Sequence, residues 1–190
     1  VEEAMSPSQR TGHWYLRFRQ LRNYAYQLPR RMSRPNPTAY VAPSASVAPE
    51  TNLGDYAFIG PRCRISPGVS IGDFTMLAAE VAVVGGDHVT DRVGVPAQFA
   101  GRPSLRATTI GSDVWLGRRV IVMTGLRVGD AALVAAGSVV TKDIPDGEVW
   151  AGVPARRVRY RFGSEDLLNQ HLAGLKAGKF EVALVTNERT

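Results

Sequence analysis

Residues 41–83 read VAPSAS VAPETN LGDYAF IGPRCR ISPGVS IGDFTM LAAEVA V, one block to every six positions. Each block opens on an aliphatic residue: Val41, Val47, Leu53, Ile59, Ile65, Ile71, Leu77 and Val83. The second place is small in almost every block (Ala42, Ala48, Gly54, Gly60, Ser66, Gly72, Ala78), and the fifth is small or apolar, Cys63 included. A period of six is neither that of a helix, 3.6, nor that of an alternating strand, 2.0. It suits a short strand followed by a sharp corner, where the small residue lets the backbone turn. Three such strands close a triangular coil, and successive coils pair edge to edge at about 4.8 Å. One coil alone buries too little to offset the entropy of ordering its backbone, so the coils must stack.

The register breaks after Val83 and resumes at Ile110, continuing through Leu116, Val122, Val128, Val134 and Val140. The fourteen aliphatics supply four to five coils. The expected fold is all-β: a parallel β-helix with one extended loop and short helical caps at both ends. The boundaries are a basic N-terminal segment over 1–38, the β-helix over 39–162 with its loop at 85–109, and a C-terminal helix and tail over 163–190.

The interruption is where chemistry is sought, because loops thrown from a rigid scaffold concentrate function. It holds Gly85-Gly-Asp-His-Val-Thr-Asp91, and His88 is the only histidine between residues 14 and 170. An imidazole near pKa 6.5 can take a proton from an alcohol or amine at neutral pH. Asp87 and Asp91 flank it, and either could orient its ring. His13 and His171 lie in the end segments and read as structural or exposed.

Charge is concentrated at one end. Residues 1–36 hold arginines at 10, 17, 19, 22, 30, 31 and 34 against Glu2 and Glu3, which is +5 of the chain's +6. Trp14, Phe18, Leu21, Ala25 and Leu28 recur at helical spacing before Pro29, so this segment reads as a basic amphipathic helix. Two readings stand for it: a cap on the open strand edges or a trimer contact, and peripheral attachment to an anionic membrane surface. No nucleic-acid module is recognisable, and no nucleic-acid partner is expected. Ser164, followed by Glu165, Asp166 and four leucines to Leu175, predicts an N-capped helix. The single cysteine excludes an internal disulfide framework and fits a reducing, cytoplasmic setting. No run is long and apolar enough for a membrane-spanning helix. The sequence also lacks GxSxG, HExxH and a Walker-type phosphate loop.

The hexads, the broken register with His88, and the run Ile110-Gly-Ser-Asp-Val-Trp-Leu-Gly117 together resemble the left-handed β-helix acyltransferases of the hexapeptide-repeat superfamily. So do Val134-Ala-Ala-Gly-Ser-Val-Val-Thr-Lys-Asp-Ile-Pro145 and Ala151-Gly-Val-Pro-Ala-Arg-Arg-Val-Arg159. The closest groups are the galactoside and maltose, colanic-acid-type polysaccharide and xenobiotic O-acetyltransferases. The resemblance spans about residues 40–162. It supplies the left hand, against the right-handed preference of parallel crossovers. It also implies a homotrimer with active sites between subunits, acetyl-CoA as co-substrate and no metal.

By the resemblance, His88 matches the general base that deprotonates an acceptor hydroxyl. Trp115 matches a wall of the acetyl or pantetheine slot. Ala136, Thr141 and Lys142 match positions along the CoA arm, and Arg156 and Arg159 match the basic pair at the nucleotide phosphates. Arg118 stands where the galactoside group has serine, and is counted with the CoA-side residues. The implied activity is transfer of an acetyl group to a hydroxyl of a sugar or surface-polysaccharide precursor. Xenobiotic or amino-sugar N-acetylation is the alternative, and a non-catalytic scaffold is the rival of another class. A γ-class carbonic anhydrase would need three converging histidines, and only His88 lies within the repeat.

Overall fold

The protein, a computed structural model, is described over residues 13–27, 32–33, 35–86 and 88–178. A helix, α1 (His13–Gln27), precedes a triangular prism of short strands. The first coil is β1 (Tyr40–Val41), β2 (Ser46–Val47) and β3 (Asn52–Leu53). The second is β4 (Phe58–Ile59), β5 (Arg64–Ile65) and β6 (Val69–Ile71), and the third β7 (Met76–Leu77), β8 (Ala82–Val84) and β9 (Thr108–Ile110). The fourth is β10 (Trp115–Leu116), β11 (Ile121–Met123) and β12 (Arg127–Val128). The fifth holds β13 (Leu133–Val134) and β14 (Val139–Val140), and Ile144 closes it by bridging to Val128. Then β15 (Glu148–Gly152) continues the first face and β16 (Ala155–Tyr160) folds back antiparallel on it. Helix α2 (Glu165–Lys176) follows, with the Ser164 Oγ accepting from the Leu167 N–H at 3.2 Å.

Every third strand stacks, so three parallel ladders form the faces of a left-handed β-helix. Face A is β1-β4-β7-β10-β13-β15-β16, face B is β2-β5-β8-β11-β14, and face C is β3-β6-β9-β12. The register is unbroken across the interruption: Leu77 pairs with Leu116, and Ile71 with Ile110. All fourteen aliphatics of the hexads are buried in one core, as their period requires. Cys63 is fully buried among them, its Sγ donating to the Ala78 carbonyl at 3.1 Å, and burial pushes its thiol pKa up. It is a core residue.

The corners work differently from the sequence reading. The residue in the left-handed region is the fourth of the hexad, three after the aliphatic. Tyr56, Arg62, Phe74, Glu80, Asp113, Arg119 and Ala131 all sit there with φ between 51° and 66°, alongside Gly68, Gly86, Gly125 and Gly137. The small second-place residues answer to stacking instead. A Cβ on Gly60 would lie 2.7 Å from the Leu77 carbonyl oxygen, and one on Gly117 would lie 2.6 Å from the Ala136 nitrogen. Glycine is needed there for space between coils rather than for its torsional freedom.

The loop starts where expected and ends earlier. Thr108 and Thr109 already belong to β9, so the excursion is 85–107. Thr108 is buried, and its Oγ1 accepts from the Gly125 N–H at 2.8 Å. Thr75 fastens the other side of the re-entry, donating to the Gly111 carbonyl at 2.6 Å and accepting from the Val114 N–H at 3.0 Å.

The N-terminal helix turns its polar side inward. Gln27 is fully buried, its amide bonding the Asn36 and Ala39 carbonyls (2.8 and 3.1 Å) and accepting from the Asn36 N–H. Asn23 is buried beside it, while Phe18, Leu21, Tyr24 and Ala25 are exposed. The Trp14 side chain and Leu28 lie outside the described residues.

Candidate active site

The excursion leaves the prism at the corner between faces B and C. Its two ends are pinched together there: a Cβ on Gly86 would meet Leu105 at 2.4 Å, and one on Gly125 would meet Arg106 at 2.9 Å. The root presses on the next coil, where a Cβ on Gly85 would collide with the Thr124 hydroxyl. Inside the loop the Val89 N–H donates to the Gly101 carbonyl at 2.9 Å, and Ala97–Phe99 form a single 3-10 turn. His88 therefore stands at the loop's pinched neck, between an anchored Gly86 and an anchored Val89. Its side chain is exposed, and among the described residues no hydrogen bond or ion pair holds its imidazole. Asp91 is exposed on the same loop, and Asp87 lies outside the described residues.

Thr141 and Lys142 follow β14 at this same corner, two coils beyond the loop root, or about 10 Å along the prism at ordinary strand spacing. Both are exposed. The corner thus lines up an exposed imidazole, two threonine positions (Thr124 and Thr141) and one ammonium group.

The other expected residues lie elsewhere on the triangle. Trp115 is on β10 of face A, 49% exposed. It continues an outward stripe of Tyr40, Phe58 and Met76 on that face, in which Tyr40 and Phe58 stack at 5.0 Å. Ala136 and Arg118 occupy the corner between faces A and B. Arg156 and Arg159 are exposed on β16, at the end of face A, their guanidinium groups bonding only carbonyls of neighbouring residues among the described residues. One prism therefore separates the expected set into two groups. His88, Asp91, Thr141 and Lys142 share one corner, while Trp115, Arg118, Ala136, Arg156 and Arg159 belong to the opposite face and its edges.

Two clusters were not anticipated. Glu80 accepts from three arginines, Arg62, Arg119 and, at 2.9 Å, Arg118. These guanidinium groups, Arg62 foremost, hold the Glu80 carboxyl down at about 2. Arg118 is thus tied to a carboxylate. The signal was present in the sequence, since Arg62, Glu80 and Arg119 all occupy the fourth place of hexads on successive coils. The pKa is lowered on folding, so the stabilisation is complete above about pH 4.5 and is lost as pH falls toward 2. Melting temperature followed from pH 5 to pH 2 should fall, and Glu80→Gln should remove part of that slope. The second cluster is Asp113, whose Oδ2 takes both Arg161 and His171 at 2.8 Å, with His171 also packed on Phe162 at 4.8 Å. It fastens α2 to the corner between faces C and A, and nothing in the hexad pattern points to a residue fifty-eight positions away.

Residues 107–142 match the family model described as the hexapeptide repeat of succinyl-transferase. The galactoside O-acetyltransferase of Escherichia coli (strain K12) is 51% identical over 51 residues, covering 27% of this chain and 25% of that protein. The 2,3,4,5-tetrahydropyridine-2,6-dicarboxylate N-acetyltransferase of Staphylococcus aureus (strain JH9) is 38% identical over 87 residues, or 44% of this chain and 36% of that one. The chain thus spans only about a quarter to a third of the length of these relatives. Among solved structures, a hexapeptide-repeat-containing acetyltransferase of Vibrio cholerae superposes with a TM-score of 0.62 at 22% identity, over 77% of this chain and 93% of that one. That likeness establishes the fold. Residues 107–142 of the prism thus match a transferase hexapeptide repeat, and the chain is similar in part to galactoside O-acetyltransferase and other hexapeptide-repeat acetyltransferases.

Proposed function

We propose that the protein is an acetyl-CoA-dependent O-acetyltransferase whose general base is His88 and whose acceptor is a sugar hydroxyl. The observation that carries the reading is the exposed imidazole, without a bonding partner among the described residues, at the neck of the excursion from the prism. In this reading His88 takes the proton of the acceptor hydroxyl as that oxygen attacks the thioester carbon. The tetrahedral intermediate collapses with loss of the CoA thiolate, which receives the proton back from the imidazolium. Asp87 or Asp91 orients the ring.

The separation of the two groups supports a site between subunits of a homotrimer. The corner bearing His88 and Lys142 faces the Trp115 stripe of a neighbour, which covers apolar side chains that are half exposed in one chain. CoA then lies along that seam, with Trp115 against the acetyl or pantetheine part, Ala136 and Thr141 along the arm, and Lys142, Arg156 and Arg159 at its phosphates. Arg118, already paired to Glu80, borders the seam. N-acetylation, the activity printed for the Staphylococcus aureus relative, is the second reading.

Release of free CoA thiol from acetyl-CoA is the direct test. Sugar hydroxyls should accelerate it and amines should not, whereas the reverse preference would transfer the reading to N-acetylation. No release with any acceptor, together with no CoA binding, would leave only a scaffold. Replacing Lys142 and Arg159 by alanine together should raise the KM for acetyl-CoA about a hundredfold or more, each charge-assisted phosphate contact contributing roughly 1.5–3 kcal/mol. Acetyl-pantetheine, which lacks the nucleotide, should be little affected. An equal change for both donors would refute the phosphate assignment.

A further inference from the structure

We infer that the outward face of α1 is a docking surface for an anionic lipid bilayer. At about 100° per residue, Tyr24, Arg17, Leu21, Ala25 and Phe18 fall within an arc of roughly 120°. All five are exposed, Phe18 at 58% and Leu21 at 68%. Of the residues the helix buries, Asn23 lies nearly opposite the centre of that arc and Gln27 about 120° from it. A helix whose role is only to cap the prism would bury Phe18 and Leu21 and expose its amides. Here the amides are spent on the Asn36–Ala39 backbone and the apolar arc is left to water.

Charge selects the occupant. The segment 1–36 carries +5, and Arg17 stands on the apolar arc itself. Arg22 flanks the arc, its guanidinium 5.9 Å from the centre of the Tyr40 ring. Apolar and aromatic side chains entering the acyl boundary, with arginine heads reaching back to lipid phosphates, match a basic amphipathic helix lying in the interface plane. A second copy would instead bring two such positive segments together, which is unfavourable. The inference does not rest on the catalytic reading.

The test is co-sedimentation of the full chain with phosphatidylglycerol-containing and pure phosphatidylcholine vesicles. Binding should favour the anionic vesicles by about tenfold or more and weaken with added salt. Phe18→Ser with Leu21→Ser, and separately Arg17→Glu, should each reduce binding severalfold at unchanged melting temperature, since these side chains are exposed. Binding that is absent, equal on both vesicles, or unchanged in the variants would overturn the inference. So would a change in oligomeric state on Phe18→Ser with Leu21→Ser, which would show that another copy of the chain covers the face.

Discussion

Replacing His88 with alanine is expected to lower acetyl transfer by roughly 10²–10⁴-fold, the usual contribution of a positioned general base. Its fold and its CoA affinity should not change. The imidazole is exposed and supports no other described side chain, so thermal melting should superpose on that of the wild type. Equilibrium binding of CoA should also persist, because the proposed site places the phosphates and the pantetheine arm on other groups. His171 is the informative control. It is bonded to Asp113 at 2.8 Å and belongs to the docking of α2, so His171→Ala should reduce stability and leave turnover intact. Full activity in His88→Ala, or loss of activity only in His171→Ala, would move the base to the other histidine. A large fall in melting temperature for His88→Ala would show a structural role instead.

Gly72→Ala should be among the most destabilising single-methyl changes in the chain, at about 3 kcal/mol. A Cβ there would sit 2.6 Å from both the Gly111 carbonyl carbon and the Ser112 nitrogen, which are backbone atoms that cannot swing aside. Gly111 also directly follows β9, the strand by which the chain re-enters the prism, and its carbonyl is held by Thr75. Separating these coils therefore strains the frame that places His88. Gly68 is the contrasting position. Its φ is +75° and nothing lies within 4 Å of a Cβ built on it, so Gly68→Ala meets only torsional strain of about 1 kcal/mol. Gly68→Asn should cost less still, since asparagine tolerates this region. Chemical denaturation of the three variants checks the order. Equal losses at Gly72 and Gly68 would mean that corner torsion, not coil spacing, selects the glycines.

These two glycines show where sequence reading stops. The hexad pattern marks Gly72 as a corner residue and passes over Gly68, and the two roles are told apart only once the neighbouring coil is in place. The site divides in the same way. As candidates, His88 stands out in the sequence because it interrupts a strict period, and Trp115, Thr141 and Lys142 stand out through motif resemblance. Their placement on opposite sides of the triangle does not, because it depends on which coil and which face each residue reaches. Glu80 was within reach of sequence reasoning through its shared hexad place with two arginines, whereas the Asp113–His171 contact joins a helix to a corner with no periodic relation.

By itself, then, the sequence determined the core, the three ladders and the point at which the chain leaves them, because a side-chain period is a local property of strand and corner. Only the tertiary structure decided what those periods are for. It turned the amide side of α1 inward, because Gln27 and Asn23 bond a backbone segment that the helical wheel alone does not reveal. It assigned the second-place glycines to close stacking between coils, and it separated His88 from Trp115 across the prism. Each of these depends on which surface meets which, and that is a property of packing.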